Sequence, residues 1–119
     1  MTASECLAAA TAAGADYQLT INAFVDEFRG ATTAQRVAMV ATPIIECGQL
    51  EGLIAGVVSA LCRETGTPAP TWVDAIGSPA PFFAFPARSF ELRLRLMYES
   101  PPPFRVRRVF VPENYLSRA

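Results

Sequence analysis

Thiols, arginines, a carboxylate pair and a ladder of glycines are the features through which this sequence could do chemistry, and each implies a different kind. The three cysteines, Cys6, Cys47 and Cys62, are an odd number at wide spacings, which suits neither a disulfide framework nor a zinc knuckle. Cys62 falls at the border of an apolar helical face, where a thiol behaves as a small hydrophobe, and structural roles are expected for all three. Histidine is absent and every basic residue is arginine. The commonest general base and the commonest metal ligand are thereby removed together. Asp26 and Glu27 form a carboxylate pair, but neighbours on a helix point about 100° apart, so the pair reads as a solvated face. Glycine-rich phosphate loop, nucleophile elbow and metal-ligand cluster are all missing. The expectation is a non-catalytic chain with no cofactor and no metal.

The arginines are unevenly placed. Residues 1–87 carry three arginines against eight acids, a net of −5, while residues 88–119 carry seven against three, a net of +4. Such a basic end implies contact with an anionic surface: the chain's own acidic half, a partner protein or a phosphate backbone. Arg105, Arg107 and Arg108 stand beside Phe104, and Trp72, Phe82 and Phe83 lie upstream. Arginine and aromatic residues dominate interface energetics, so these seven are the candidate partner-binding set.

The glycines point to packing. Gly48, Gly52, Gly56 and Ala60 recur every four residues along "GQLEGLIAGVVSA". Each glycine inside a helix costs roughly 0.8–1 kcal/mol relative to alanine, so close backbone approach must offset the loss. A helix-packing seam is expected there, filled by another helix of the chain, by a second copy or by a partner.

The elements that must position these residues are mostly helical. Thr2 with Glu5 has capping-box spacing, and the alanine-rich stretch after it runs toward Gly14, a plausible stop. Tyr17, Ile21, Phe24, Val25 and Phe28 form the apolar stripe of an amphipathic helix ending at Gly30. Thr32 with Gln35 repeats the capping box, and Pro43 ends that helix or opens the next. Leu50, Leu53, Ile54, Val57, Val58 and Leu61 then keep helical spacing up to Gly66, which predicts the central helix.

From Thr67 onward prolines dominate: nine of the ten fall between Pro68 and Pro112, leaving room for one short helical turn near 71–75. The aromatics of 67–87 (Trp72, Phe82, Phe83, Phe85) then either strap the loop over the helices or form an apolar docking patch. Residues 90–96 alternate Phe and Leu with Glu and Arg, which fits a strand of a hairpin. On a helix, Arg88, Glu91, Arg95 and Glu99 share one polar stripe. Leucine, arginine, glutamate and methionine favour helix, and three prolines do not close a tight hairpin. A helix over 88–99 is therefore expected, followed by an extended basic arm and a short terminal helical turn.

The fold expectation is thus a single, mostly α domain over 1–119: a small helical bundle over 1–66, a proline- and aromatic-rich strap over 67–87, and a helix plus arginine-rich extended C-terminal arm over 88–119. No apolar run reaches the roughly 18–20 residues of a membrane span, and the N-terminus has no basic region before its small residues, so no membrane association and a cytoplasmic address are expected. The tail "SPPPFRVRRVFVPENYLSRA", with "PTW" and "PFF" upstream, resembles the C-terminal region of bacterial, often actinobacterial, proteins over about residues 44–119. Some of those proteins carry an N-terminal helix-turn-helix, and some look like antitoxins encoded beside nucleotidyltransferase-like toxins. The resemblance implies helical structure and an interaction role. This chain lacks an obvious helix-turn-helix before the matching region. The functional expectation is a regulatory, antitoxin-like subunit that binds a protein, such as a cognate toxin or a second copy. A nucleic-acid-binding regulator using the C-terminal arginines is the alternative.

Overall fold

The computed structural model describes residues 1–12, 14–84 and 89–117. Most of them are helical: α1 (Ala3–Thr11), α2 (Tyr17–Gly30), α3 (Thr33–Val40), α4 (Gln49–Thr65), α5 (Phe90–Glu99) and α6 (Pro102–Arg105). A 3-10 turn covers Thr71–Ala75, and two short strands, β1 (Phe82–Phe83) and β2 (Val109–Phe110), pair in parallel. Among the described residues no helix is long and apolar enough to cross a membrane.

Local chemistry sets the helix ends. Both capping boxes form: Thr2 accepts from the Glu5 N–H while Glu5 accepts from the Thr2 N–H, and Thr32 and Gln35 do the same. At the other end of α2, Arg36 donates to the carbonyls of Phe28 and Arg29 at 2.9 and 2.7 Å, closing orphan acceptors of the last turn. Gly66 stops α4 in the left-handed region (φ 70°).

Two boundaries differ from expectation. α1 ends at Thr11, where Ala12 turns extended, and Gly14 (φ 75°) serves the following turn instead of the cap. Pro43 neither ends α3, which stops at Val40, nor opens α4; residues 41–48 are an irregular link in which Ile44 still reaches the core.

α4 is the hub. Nine of its residues, from Gly52 to Cys62, are buried, and it touches α1, α2, the 3-10 turn, α6 and β2. A helix apolar on nearly all sides must be enclosed. Ile21, Phe24, Val25 and Phe28 of α2 and Ala3 and Cys6 of α1 join the same core cluster as Leu53, Val57 and Leu61.

Within residues 67–84, Val73, Ile76 and Ala84 join the core cluster, and Trp72 and Phe82 pack against it. Polar tips of aromatics hold this segment and the tail to the helices: Trp72 Nε1 donates to Val40 O (2.8 Å), Tyr17 Oη of α2 to Ala84 O (2.9 Å) and Tyr115 Oη to Gln18 Oε1 (2.6 Å). Phe85 and Arg88 lie outside the described residues.

Residues 90–99 are helix, with Ser89 capping Leu92 N–H, so no hairpin forms between this segment and the tail. The partner of β2 is β1: Phe82 stands opposite Val109 and Phe83 opposite Phe110. The expected extended arm is only partly extended. Pro101 caps and Pro102 and Pro103 open α6, because a first helical turn has no use for the N–H groups that proline lacks. After α6 a turn leads through Arg108, at φ 59°, into β2. Ser100 is fully buried, and its Oγ accepts from Val111 N–H at 2.9 Å, tying the end of α5 to the tail.

Candidate functional site

The seven residues picked out by type divide into inner supports and a few surface groups. Phe104 is fully buried against α4. Arg107 is only 7% exposed: Nε and Nη2 donate to Val73 O at 3.1 and 2.9 Å, and Nη1 to Pro103 O at 2.7 Å. Its nearest carboxylate, Asp74, is 3.9 Å away and almost wholly in solvent. Burial lowers the Arg107 pKa, with Asp74 opposing, but a guanidinium stays charged in proteins. The side chain is therefore a clamp between the 3-10 turn and α6, and it offers nothing to a partner. This corrects its placement in the partner-binding set: desolvation favours carbonyl acceptors that a folded chain can supply at fixed positions.

Trp72, Phe82 and Phe83 are likewise half-buried and engaged internally. Phe82 packs on the main core with its ring 6.5 Å from that of Tyr17, and Phe83 stacks on Phe110 at 5.2 Å. Arg105 and Arg108 are exposed, the first donating to Ser100 O and the second to Pro79 O. Among the described residues, Arg105, Arg107 and Arg108 of the basic end thus all donate to backbone carbonyls.

The glycine ladder is also internal, and its occupants differ from one rung to the next. Gly48 is the N-cap of α4, where the atoms nearest to a Cβ would be those of the Glu51 carboxylate of its own helix. At Gly52 a Cβ would lie 2.7 Å from the Ser78 backbone nitrogen, and at Gly56 2.7 Å from the Phe104 ring. Ala60 is half-buried against the core. The seam receives a loop backbone and an aromatic ring, not a long second helix.

Among the described residues, four of the nine exposed large hydrophobic side chains gather on one face of α5. Leu92 and Leu96 point inward, Leu96 forming a satellite cluster with Phe110, Phe83 and Leu92. About 180° round the helix lie Phe90, Leu94, Met97 and Tyr98. They are 76%, 41%, 42% and 78% exposed. Leu94, Met97, Tyr98 and Arg105 line a shallow depression of about 260 Å³. Glu91 and Arg95 flank this stripe on one side, Arg95 bonding Glu99 at 2.9 Å, and Arg93 lies on the other with its guanidinium 5.7 Å from the Phe83 ring centre. Val106, next to Arg105 in sequence, is 74% exposed.

The sequence pattern of 90–98 speaks to helix against strand and to one polar stripe, which leaves this second apolar face unmarked. The signal was there in the width: six large apolar residues in nine positions exceed what one core contact can cover.

The other reactive groups sit apart from this surface. Burial pushes the Cys6 thiol up to about 11 and raises Cys62, while Cys47 is exposed. Among the described residues no group of His, Cys, Asp and Glu could hold a metal ion, and no buried side-chain polar atom lacks a partner. No family model, curated protein or solved structure matches the chain.

Proposed function

We propose that the chain is a non-catalytic protein-interaction subunit that docks through the outward face of α5. The observation that carries this reading is the two-sided apolar character of that helix: Leu92 and Leu96 hold it to the fold while Phe90, Leu94, Met97 and Tyr98 stand in water. Contiguous apolar surface of this kind, rimmed by charge, is characteristic of protein contact sites. Methionine and tyrosine suit such a face, the one adapting its shape and the other adding area at low entropic cost. The resemblance of residues 44–119 to proteins some of which look like antitoxins supports the same interaction role and suggests a regulatory one.

Nucleic-acid binding through the C-terminal arginines has less to draw on. Of Arg105, Arg107 and Arg108, the second is buried in a carbonyl cage, which leaves a sparse electrostatic footprint for phosphates.

A photoreactive phenylalanine analogue placed at Tyr98, and at Leu19 as an exposed control on α2, tests the proposal in cells. The expected outcome is a discrete cross-linked protein species from position 98 and none from position 19. Absence of any species from position 98 would refute the reading.

A further inference from the structure

Given that α5 is the docking face, we propose that its occupant is α5 of a second copy, lying antiparallel across a two-fold axis near Leu94. Three independent features of the surface fit a copy of itself. Glu91 and Arg95 occupy the same flank of the stripe, one turn apart. Antiparallel pairing sets Glu91 of each chain beside Arg95 of the other, so one interaction is made twice, as a two-fold interface requires.

The shape agrees with the same register. With Leu94 beside its own copy, Phe90 of one chain falls over Met97 and Tyr98 of the other. Those two side chains, with Leu94 and Arg105, line the depression of about 260 Å³. Phe90, 76% exposed, is the knob that this hollow lacks. The hollow lies toward the C-terminal end of α5 and the knob at its N-terminal end, so no parallel arrangement brings them together.

The third feature is area. The four apolar side chains expose roughly 500 Å² per protomer, so covering both faces removes about 1,000 Å² in total, the low end for a specific interface and in keeping with a weak pairing. On the opposite flank Arg93 is exposed and faces Arg93 of the copy, a like-charge cost that the contact of its guanidinium with the Phe83 ring of its own fold directs away from the seam and that the two Glu91–Arg95 pairs must outweigh. Arg95 keeps Glu99 as a partner within the helix and gains Glu91 of the second copy, forming a small network at the rim.

Sedimentation equilibrium of the purified chain over a concentration series tests the pairing. The expected result is a monomer–dimer equilibrium in the micromolar range, weakened at least about 100-fold by Leu94→Asp with an unchanged helical circular-dichroism spectrum. Glu91→Arg and Arg95→Glu should each weaken self-association about tenfold. An equimolar mixture of those two variants should restore it, because each then presents only the charge opposite to the other. A monomer at every concentration, a dimer indifferent to Leu94→Asp, or charge variants that fail to complement each other overturns the proposal. The cross-link at Tyr98 separates the two levels. A species containing a different protein, with the purified chain monomeric, defeats the self-pairing and leaves the docking role standing. No species at all defeats both.

Discussion

Phe104 fills the notch that Gly56 leaves in α4: the ring lies where a Cβ on Gly56 would stand only 2.7 Å from Cδ1, and the phenylalanine is completely buried. The contact joins the hub helix to a segment 48 residues further along the chain, and Tyr115 meets the same ring edge-on at 5.6 Å. It explains how a tail rich in proline is held without a long helix of its own. The tail contributes one aromatic side chain, and the hub contributes the space for it.

Gly56→Ala should therefore destabilise the fold although alanine is the better helix former. Overpacking a filled core costs about 1–3 kcal/mol, against a propensity gain of up to about 1 kcal/mol, which leaves a net loss of about 1–2 kcal/mol in chemical denaturation. Gly52→Ala meets backbone at Ser78, which is itself tied to Arg107 O at 2.8 Å, so its loss should be larger, about 2–3 kcal/mol. Combining Gly56→Ala with Phe104→Leu should recover part of the loss, since the smaller side chain makes room for the new methyl group. A Gly56→Ala protein as stable as the wild type would contradict the packing described.

The helical part of the fold was legible because its signals are local. Thr2 with Glu5, Thr32 with Gln35, and Gly66 act within a few residues of where they stand, and the stripe from Leu50 to Leu61 reports its own burial. What α4 would pack against was not legible. The occupants of Gly52 and Gly56 come from the 77–78 loop and from α6, and contacts at such sequence separation leave no periodicity to read. Residue type misled at Arg107, where the sequence marks a cation and only the fold reveals three hydrogen bonds to carbonyls around it. At α5 the alternating pattern of 90–96 drew attention to helix against strand. The more useful quantity was the number of apolar side chains relative to the core surface open to them.

Thiol chemistry should divide the cysteines one against two. Cys47 is exposed, whereas Cys6 and Cys62 are buried with raised thiol pKa values, Cys6 up to about 11. Iodoacetamide at pH 8 followed by mass spectrometry should find one alkyl group on the folded chain, at Cys47, and three after unfolding in guanidinium, because a buried neutral thiol lacks both access and thiolate. Rapid labelling of Cys6 in the folded state would show that α1 is not held against the core.

Acid stability should carry a contribution from the Arg29–Glu64 pair. Two guanidinium N–H groups bond the Glu64 carboxylate at 2.9 and 2.8 Å, and this lowers its pKa below the ordinary 4.5. A carboxyl depressed in the folded state stabilises above its unfolded value, and that stability is lost as pH falls through the folded value. Both side chains are partly exposed, so the contribution at neutral pH is at most about 1 kcal/mol. Glu64→Gln should be less stable than the wild type at pH 7 and equally stable once Glu64 is protonated below its depressed value. A difference that persisted unchanged into acid would place its origin in packing instead of charge.

The three arginines of the tail should respond in three different ways, which separates their roles better than any shared substitution. Arg107→Met keeps much of the aliphatic stem but leaves the carbonyls of Val73 and Pro103 without their donors in a buried place. Each such group costs about 1–3 kcal/mol, so a loss of about 2–4 kcal/mol is expected, and Arg107→Lys should restore only part of it because an ammonium cannot reproduce the planar fork. Arg105→Ala touches an exposed side chain bonded only to Ser100 O and should change stability by less than about 1 kcal/mol. Arg108→Gly should stabilise. Its φ of 59° lies in the left-handed region, where a side chain costs about 1–2 kcal/mol that glycine does not incur, and its side-chain hydrogen bond, to Pro79 O, is long at 3.3 Å, while its backbone bonds to Arg105 and Phe82 survive the change. A gain of about 0.5–1 kcal/mol is expected after allowing for glycine's greater freedom in the unfolded chain. If Arg107 were instead held at the surface for a partner, Arg107→Met and Arg105→Ala would cost the fold alike, and equal denaturation midpoints for the two would overturn the clamp.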